Sequence, residues 1–197
     1  MSAIDRYVAF SVLFCLAAPL AASETDAPAP RIAAVMEFEL IDDMRDYERP
    51  ETRDAQNRRI SLISDALRRE LLQRGMYRIA DNSAAESLIS GLRAQGELRE
   101  CNGCEIDIGR ALGADVIIIG WVQKVSNLIL NINIEVREVS SGRMLYVKSV
   151  DLRSNTDNSW LRGIRYMVDS IEEKKQHLRS KPIHRKDAKN AKEPENN

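Results

Sequence analysis

The residues best suited to chemistry are Cys101 and Cys104, in the stretch CNGCEIDIGRALGAD, residues 101–115. A Cys-x-x-Cys pair can be a redox centre, half of a metal site or a disulfide staple. A thiol oxidoreductase wants its first cysteine at a helix N-terminus, where the helix dipole and free N–H groups stabilise a thiolate. It also wants the motif directly after a strand. Here QGELRE comes first, with a helical pattern before it, and Glu100, Glu105 and Asp107 crowd the pair with negative charge that opposes a thiolate. A structural zinc needs four ligands, and the pair supplies two. The pattern therefore points to a structural disulfide between Cys101 and Cys104, with a thiol-disulfide protein using the same pair as the competing reading. Closing so short a loop removes little chain entropy, so the bond would fix the approach of the following helix more than it stabilises the whole fold.

Other chemistries find less support. The two histidines, His177 and His184, sit in or beside the disordered tail, so no Ser, Cys or Thr nucleophile has an ordered histidine to activate it. Neither G-x-G-x-x-G nor a Walker pattern follows a predicted strand, so nucleotide binding has no support and no cofactor is expected. Glycines 109, 113 and 120 read as helix stop and packing positions. No metal site is expected either: the acidic stretch IDDMRDYERPETRD, residues 41–54, matches no calcium-loop spacing. A net charge of −1 gives no electrostatic case for nucleic acid.

Two surfaces remain as candidates for contact with a partner. In LILNINIEVREV, Leu130, Ile132, Ile134 and Val136 alternate with Asn131, Asn133, Glu135 and Arg137, so one face is core and the other is wet or bound. The acidic stretch, with Asp42 and Asp43 at its head, would lie as a loop at the carboxyl end of the first strand, where open α/β sheets bind ligands.

The elements that must position these residues follow from the rest of the chain. Residues 1–23, MSAIDRYVAFSVLFCLAAPLAAS, have a short start with Arg6, an apolar run from Val8 to Leu20 and then small residues. This is the plan of a secretory signal peptide, with a run well short of the roughly 20 apolar residues a spanning helix needs. Export to the periplasm is expected, with no transmembrane segment in the mature chain. Cys15 would leave with the signal, so Cys101 and Cys104 would be the remaining cysteines, oxidised in that compartment. A Pro and Ala linker, 24–30, leads to a single domain, 31–176. Residues 177–197 are polar and basic with no amphipathic period, a disordered tail by composition that can contact an anionic surface electrostatically.

Within the domain, RIAAVMEFEL reads as a buried first strand. Residues 55–75 place Ile60, Ile63, Leu67 and Leu71 at helical spacing, with Gly75 as terminator. MYRIAD is a short strand; Ser83 and Glu86 have capping-box spacing ahead of a helix with Ala85, Leu88, Ile89 and Leu92 on its apolar stripe. A short helix over 104–112 buries Ile106, Ile108, Ala111 and Leu112, and the run VIIIGWVQKV is a central strand covered on both faces. Residues 128–152 form an antiparallel hairpin around Ser140, Ser141 and Gly142. A last helix begins after Asn155 or Thr156 and buries Trp160, Ile164, Met167, Val168 and Ile171. The order predicts an α/β (α+β) domain: one mixed sheet of about five strands, helices packed on it, antiparallel strands near the end and a closing helix.

The stretches IAAVMEFELIDD, CNGCEIDIGRALGADVIIIGWVQKVSNLILNINIEVREVSSG and SVDLRSNTDNSWLRGIRYMV together resemble a family of small exported Gram-negative proteins known as a domain of unknown function. The likeness spans roughly Arg31 to Val168. More distantly, the plan is similar to the amino-terminal domain of the Tol-Pal propeller protein. It is also similar to envelope lipoproteins that activate peptidoglycan synthases or form the curli secretion pore. The resemblance implies a domain that binds another envelope protein and carries no catalytic residues. The expectation is thus a periplasmic, non-enzymatic binding or adaptor module.

Overall fold

The computed structural model describes residues 29–180. The expected signal peptide, most of the linker and residues 181–197 of the expected tail lie outside the described residues.

The elements are β1 (Ile32–Val35), β2 (Glu39–Asp42), α1 (Pro50–Gln73), β3 (Arg78–Ile79), α2 (Glu86–Arg93), α3 (Cys104–Ala111), β4 (Val116–Ser126), β5 (Ile129–Glu138), β6 (Met144–Leu152) and α4 (Asp157–Ser180). They build one mixed six-stranded sheet in the order β3-β1-β4-β5-β6, with β2 also paired to β4. Strands β1 and β3 are parallel, as are β1 and β4, while β4, β5 and β6 run antiparallel in succession. The mixed sheet, the antiparallel strands and the closing helix are those expected.

The expected first strand is in fact two. β1 pairs Ala33, Ala34 and Val35 with Val116, Ile117 and Ile118, and β2 pairs Glu39 to Asp42 with Trp121 to Lys124. Between them the chain leaves the sheet so that Phe38 can lie over Gly120. A Cβ added to Gly120 would stand 2.4 Å from Phe38 Cε1, closer than real Cβ atoms come. The residues of this break carry polar main-chain groups that need partners in a buried place. Neighbouring side chains provide them: Phe38 N–H donates to Ser64 Oγ at 2.9 Å, and Arg68 and Arg93 donate to the carbonyls of Val35 and Glu37, both at 3.0 Å.

The expected loop over 41–54 shortens from both ends. Ile41 and Asp42 belong to β2, and α1 begins at Pro50, the first helical position, where a missing N–H costs nothing. A 3-10 turn over Asn82–Ala85 precedes α2, and the Asp81 side chain accepts from Ser83 N–H at 3.0 Å. The capping box is therefore not formed: Ala85, which has no side-chain acceptor, is the residue before α2. Leu88 and Ala111, expected inside, are exposed, whereas Ile89, Ile106 and Ile108 are buried. α4 continues to Ser180, so residues 177–180, expected in the tail, are helical.

The sheet separates two cores of different size. On one face, α1 and α4 cover the sheet with Ile63, Leu67, Trp160, Ile164 and Met167, packed on Val116, Ile118, Val122 and alternate residues of β5. Each such fully buried side chain contributes roughly 1.5–3 kcal/mol. On the other face a smaller cluster joins Ala34, Met36, Ile117 and Ile119 to Ile89 of α2 and Ile106 and Ile108 of α3.

Candidate functional site

Cys101 lies in the loop before α3 and Cys104 is its first residue; a disulfide joins them, with Cα atoms 5.7 Å apart. The loop turns at Gly103, whose φ of 107° lies in the region that favours glycine. Behind the disulfide is Glu105, only 3% exposed. Its Oε2 accepts the Gly103 N–H at 3.1 Å and stands 3.8 Å from Cys101 Sγ, while Oε1 lies 3.5 Å from Arg137 Nε. The three acids near the pair, alike in sequence, therefore separate in space. Glu105 turns inward, and Asp107 and Glu100 face solvent on Arg110 and Arg99, each at 2.8 Å. Sequence reasoning missed the particular role of Glu105. The available signal was its place in the first turn of a helix, where a carboxylate is favoured.

Arg137 connects this loop to the polar face of β5. Its Nη2 donates to Glu135 Oε2 at 3.0 Å, and farther along the strand Asn133 Nδ2 donates to Asn131 Oδ1 at 2.6 Å. All four side chains are half-buried, alternating with buried Leu130, Ile132, Ile134 and Val136 as the sequence predicts. Helices α2 and α3 pack over β1 and the first half of β4, and their apolar cluster includes no residue of β5 or β6. The sheet face beyond them is open. Opposite Glu135, Asn133 and Asn131 on β6 stand Val147, Ser149 and Asp151, all exposed, and opposite Asn133 on β4 stands the half-buried Trp121.

The acidic stretch behaves differently. Lys124, 4% exposed in its side chain, donates to Asp42 Oδ2 at 2.9 Å and to Glu48 Oε1 at 2.6 Å; the Asp42 and Glu48 side chains are 1% and 12% exposed. Burial pulls the Lys124 pKa down, but the hydrogen bonds it donates to Glu48 and Asp42, with the charge of the two carboxylates, outweigh it, and the net direction is upward from 10.5. Asp42, which the sequence offered as a partner contact, lies on β2, and its carboxylate neutralises a buried lysine. Asp43, the next residue, is exposed. So are Met44 and Tyr47 in the same connection and Val125, Leu128 and Ile129 at the β4–β5 turn, an apolar tip that alternation alone did not single out.

Two open clefts, of about 560 and 590 Å³, share Glu37 and Arg93 beside the break between β1 and β2. The polar groups here hold the chain. Ser61 Oγ donates to Glu37 Oε1 at 2.8 Å, and Arg68 and Arg93 serve the carbonyls already described. Glu39, which lines the first cleft, has its carboxyl pKa raised by burial above 4.5.

A family model matches residues 31–171. The chain belongs to the family DUF3280, described as "Protein of unknown function (DUF2380)". No curated protein matches it. Among solved structures it is similar to the LpoB C-terminal domain from Salmonella enterica, at 12% identity, covering 66% of this chain and 87% of that one with a TM-score of 0.46. TolB from Acinetobacter baumannii is similar at 11% identity over 75% of this chain and 28% of TolB, with a TM-score of 0.43. Lipoprotein GNA1162 from Neisseria meningitidis is similar at 14% identity over 78% and 100% of the two chains, with a TM-score of 0.37. These are similarities in the course of the chain.

Proposed function

We propose that the protein is an exported, periplasmic, non-enzymatic binding or adaptor module of the cell envelope, with an envelope protein as its partner. The observation that carries this reading is the open half of the sheet, where α2 and α3 stop short and leave the β5 face beside exposed β6 residues. Asn131, Asn133, Glu135 and Arg137 form its polar strip, and Trp121 and Val147 supply apolar area beside it. Such a mixture of an aromatic, an aliphatic and paired polar groups suits a protein surface better than a small ligand. Asp43 and the apolar tip at Tyr47 and Leu128 extend the exposed surface at the end of β4. The location rests on the leader in residues 1–23. Among the described residues no helix is long and apolar enough to cross a membrane. The basic tail would add electrostatic contact with an anionic envelope surface.

The competing thiol-disulfide reading is disfavoured by Glu105. Reduction would place a thiolate beside a buried carboxylate 3.8 Å from Cys101 Sγ, which opposes its formation. In the test, native protein and an Asn131→Ala, Asn133→Ala, Glu135→Arg variant are crosslinked in intact envelopes, and captured proteins are identified by mass spectrometry. The adaptor reading expects a partner recovered with the native chain and lost with the variant while thermal unfolding is unchanged. Identical recovery from both would overturn the assignment of this face, and a Cys101→Ser, Cys104→Ser variant that alone loses function would favour redox chemistry.

A further inference from the structure

We propose that Cys101, Cys104 and Glu105, once the disulfide is reduced, form a three-ligand site for a divalent, sulfur-preferring cation of the zinc class. Two cysteines alone were too few ligands, and the fold supplies the third. The two sulfurs and a carboxylate oxygen of Glu105 lie within 4.8 Å of one another. Around zinc, bonded at about 2.3 Å to sulfur and about 2.0–2.2 Å to oxygen, neighbouring ligand atoms stand roughly 3.4–3.8 Å apart. Cys101 Sγ is already 3.8 Å from Glu105 Oε2. Breaking the S–S bond lets the sulfurs separate to that spacing by side-chain rotation alone, and α3 holds Cys104 and Glu105 on consecutive positions.

The surroundings suit a ligand. Glu105 Oε1 faces Arg137, which Glu135 holds in turn, so the carboxylate is oriented by an outer layer of the kind that fixes metal ligands. Oε2 is left toward the sulfurs, sharing only the Gly103 N–H. Charge selects the ion. Two thiolates match a divalent cation and leave Glu105, Arg137 and Glu135 with the balance they have in the oxidised form. A monovalent ion would leave one surplus negative charge on the half-buried sulfurs beside buried Glu105. Sulfur donors exclude calcium and magnesium, which require oxygen. The fourth position would be open to water or to a side chain of another molecule.

The chemistry needs a reductant, a dithiol donor. It gives two electrons and two protons to the disulfide, so the S–S bond becomes two thiols and the donor becomes a disulfide. The cation then displaces both thiol protons to solvent. The pair would thus be a clamp when oxidised and a metal site when reduced.

The test uses the purified full chain, reduced without oxygen by a phosphine and titrated with zinc, or with cadmium for its thiolate absorption band. The expected result is one cation bound, two protons released, and slowed alkylation of both cysteines. Glu105→Gln should weaken binding by at least about tenfold, and Cys101→Ser with Cys104→Ser should abolish it. Near-UV circular dichroism of the oxidised Glu105→Gln protein separates loss of a ligand from loss of fold. Alkylation at an unchanged rate in excess zinc would overturn the site. So would equal affinity in Glu105→Gln, or a reduced protein that unfolds and is not restored by zinc.

Discussion

The two faces of the sheet are built on different principles. Under α1 and α4 the apolar side chains form one continuous body from Ala33 to Ile171, closed by two long helices. Under α2 and α3 the helices have eight residues each, the cluster is smaller, and a disulfide braces the start of α3. Short helices are marginal on their own, so this side depends on its staple and on packing against β4. The lesson is a division of labour. Stability is concentrated on the closed face, which leaves the other free to expose half of its sheet.

The sharpest way to break this comparison is Trp160→Ala on the closed face. A fully buried Trp removed from a packed core should lower the unfolding free energy by about 3–5 kcal/mol. A urea-unfolding loss below about 1 kcal/mol would show that α4 is not part of the main core. The polar plug at the end of β4 comes next. Lys124→Ala leaves Asp42 and Glu48 as uncompensated buried charges and should cost about 3–5 kcal/mol, whereas Lys124→Met with Asp42→Asn and Glu48→Gln should cost much less. Its pH dependence has a definite sign. Because the folded pKa of Lys124 lies above 10.5, its stabilisation is fully present below that value and is lost as pH rises through the folded value. The stability difference between native protein and the triple variant should be flat near neutrality and shrink in strongly alkaline solution; a difference constant with pH would refute the coupling.

On the other face the effects should be smaller. Replacing Cys101 and Cys104 by Ser should cost about 2 kcal/mol, the loop-entropy value for so short a closure, with hydrogen exchange rising first in α3. A loss of global protection equal to that of Trp160→Ala would erase the distinction between the faces. The smallest effect is expected for Asn131→Ala and Asn133→Ala, within about 0.5 kcal/mol of native in thermal or urea unfolding. If either costs more than about 1 kcal/mol, the Asn131–Asn133 hydrogen bond supports the sheet and the open face is less free than its exposure suggests.

The periodic parts of the fold were legible because burial imposes a period. Helix α4 shows Trp160, Ile164, Met167, Val168 and Ile171 on one stripe, and all five are buried. β5 alternates in structure as it does in sequence. What failed did so where tertiary contacts override local pattern. RIAAVMEFEL reads as one strand because every residue from Ala33 to Phe38 except Glu37 is apolar, yet the fit of Phe38 over Gly120 breaks it. Asp42 reads as a loop carboxylate because its partner, Lys124, is 82 residues away. Of the candidate site, the polar strip was visible as an alternation, but the helices that leave it uncovered were visible only as lengths.

By itself the sequence determined the order of the main helices and of the long strands β4 to β6, which side of β5 and α4 is buried, and that the cysteines stand close enough to bond. Each of these depends on neighbours within a few positions of one another, and local spacing encodes them. The tertiary structure alone decided that Glu105 turns under the disulfide toward Arg137, that Lys124 gathers Asp42 and Glu48, and that half of one sheet face stays open. Those outcomes depend on which distant groups share a dehydrated space, where an unpaired charge or main-chain group costs several kilocalories and the chain must bring a partner to it.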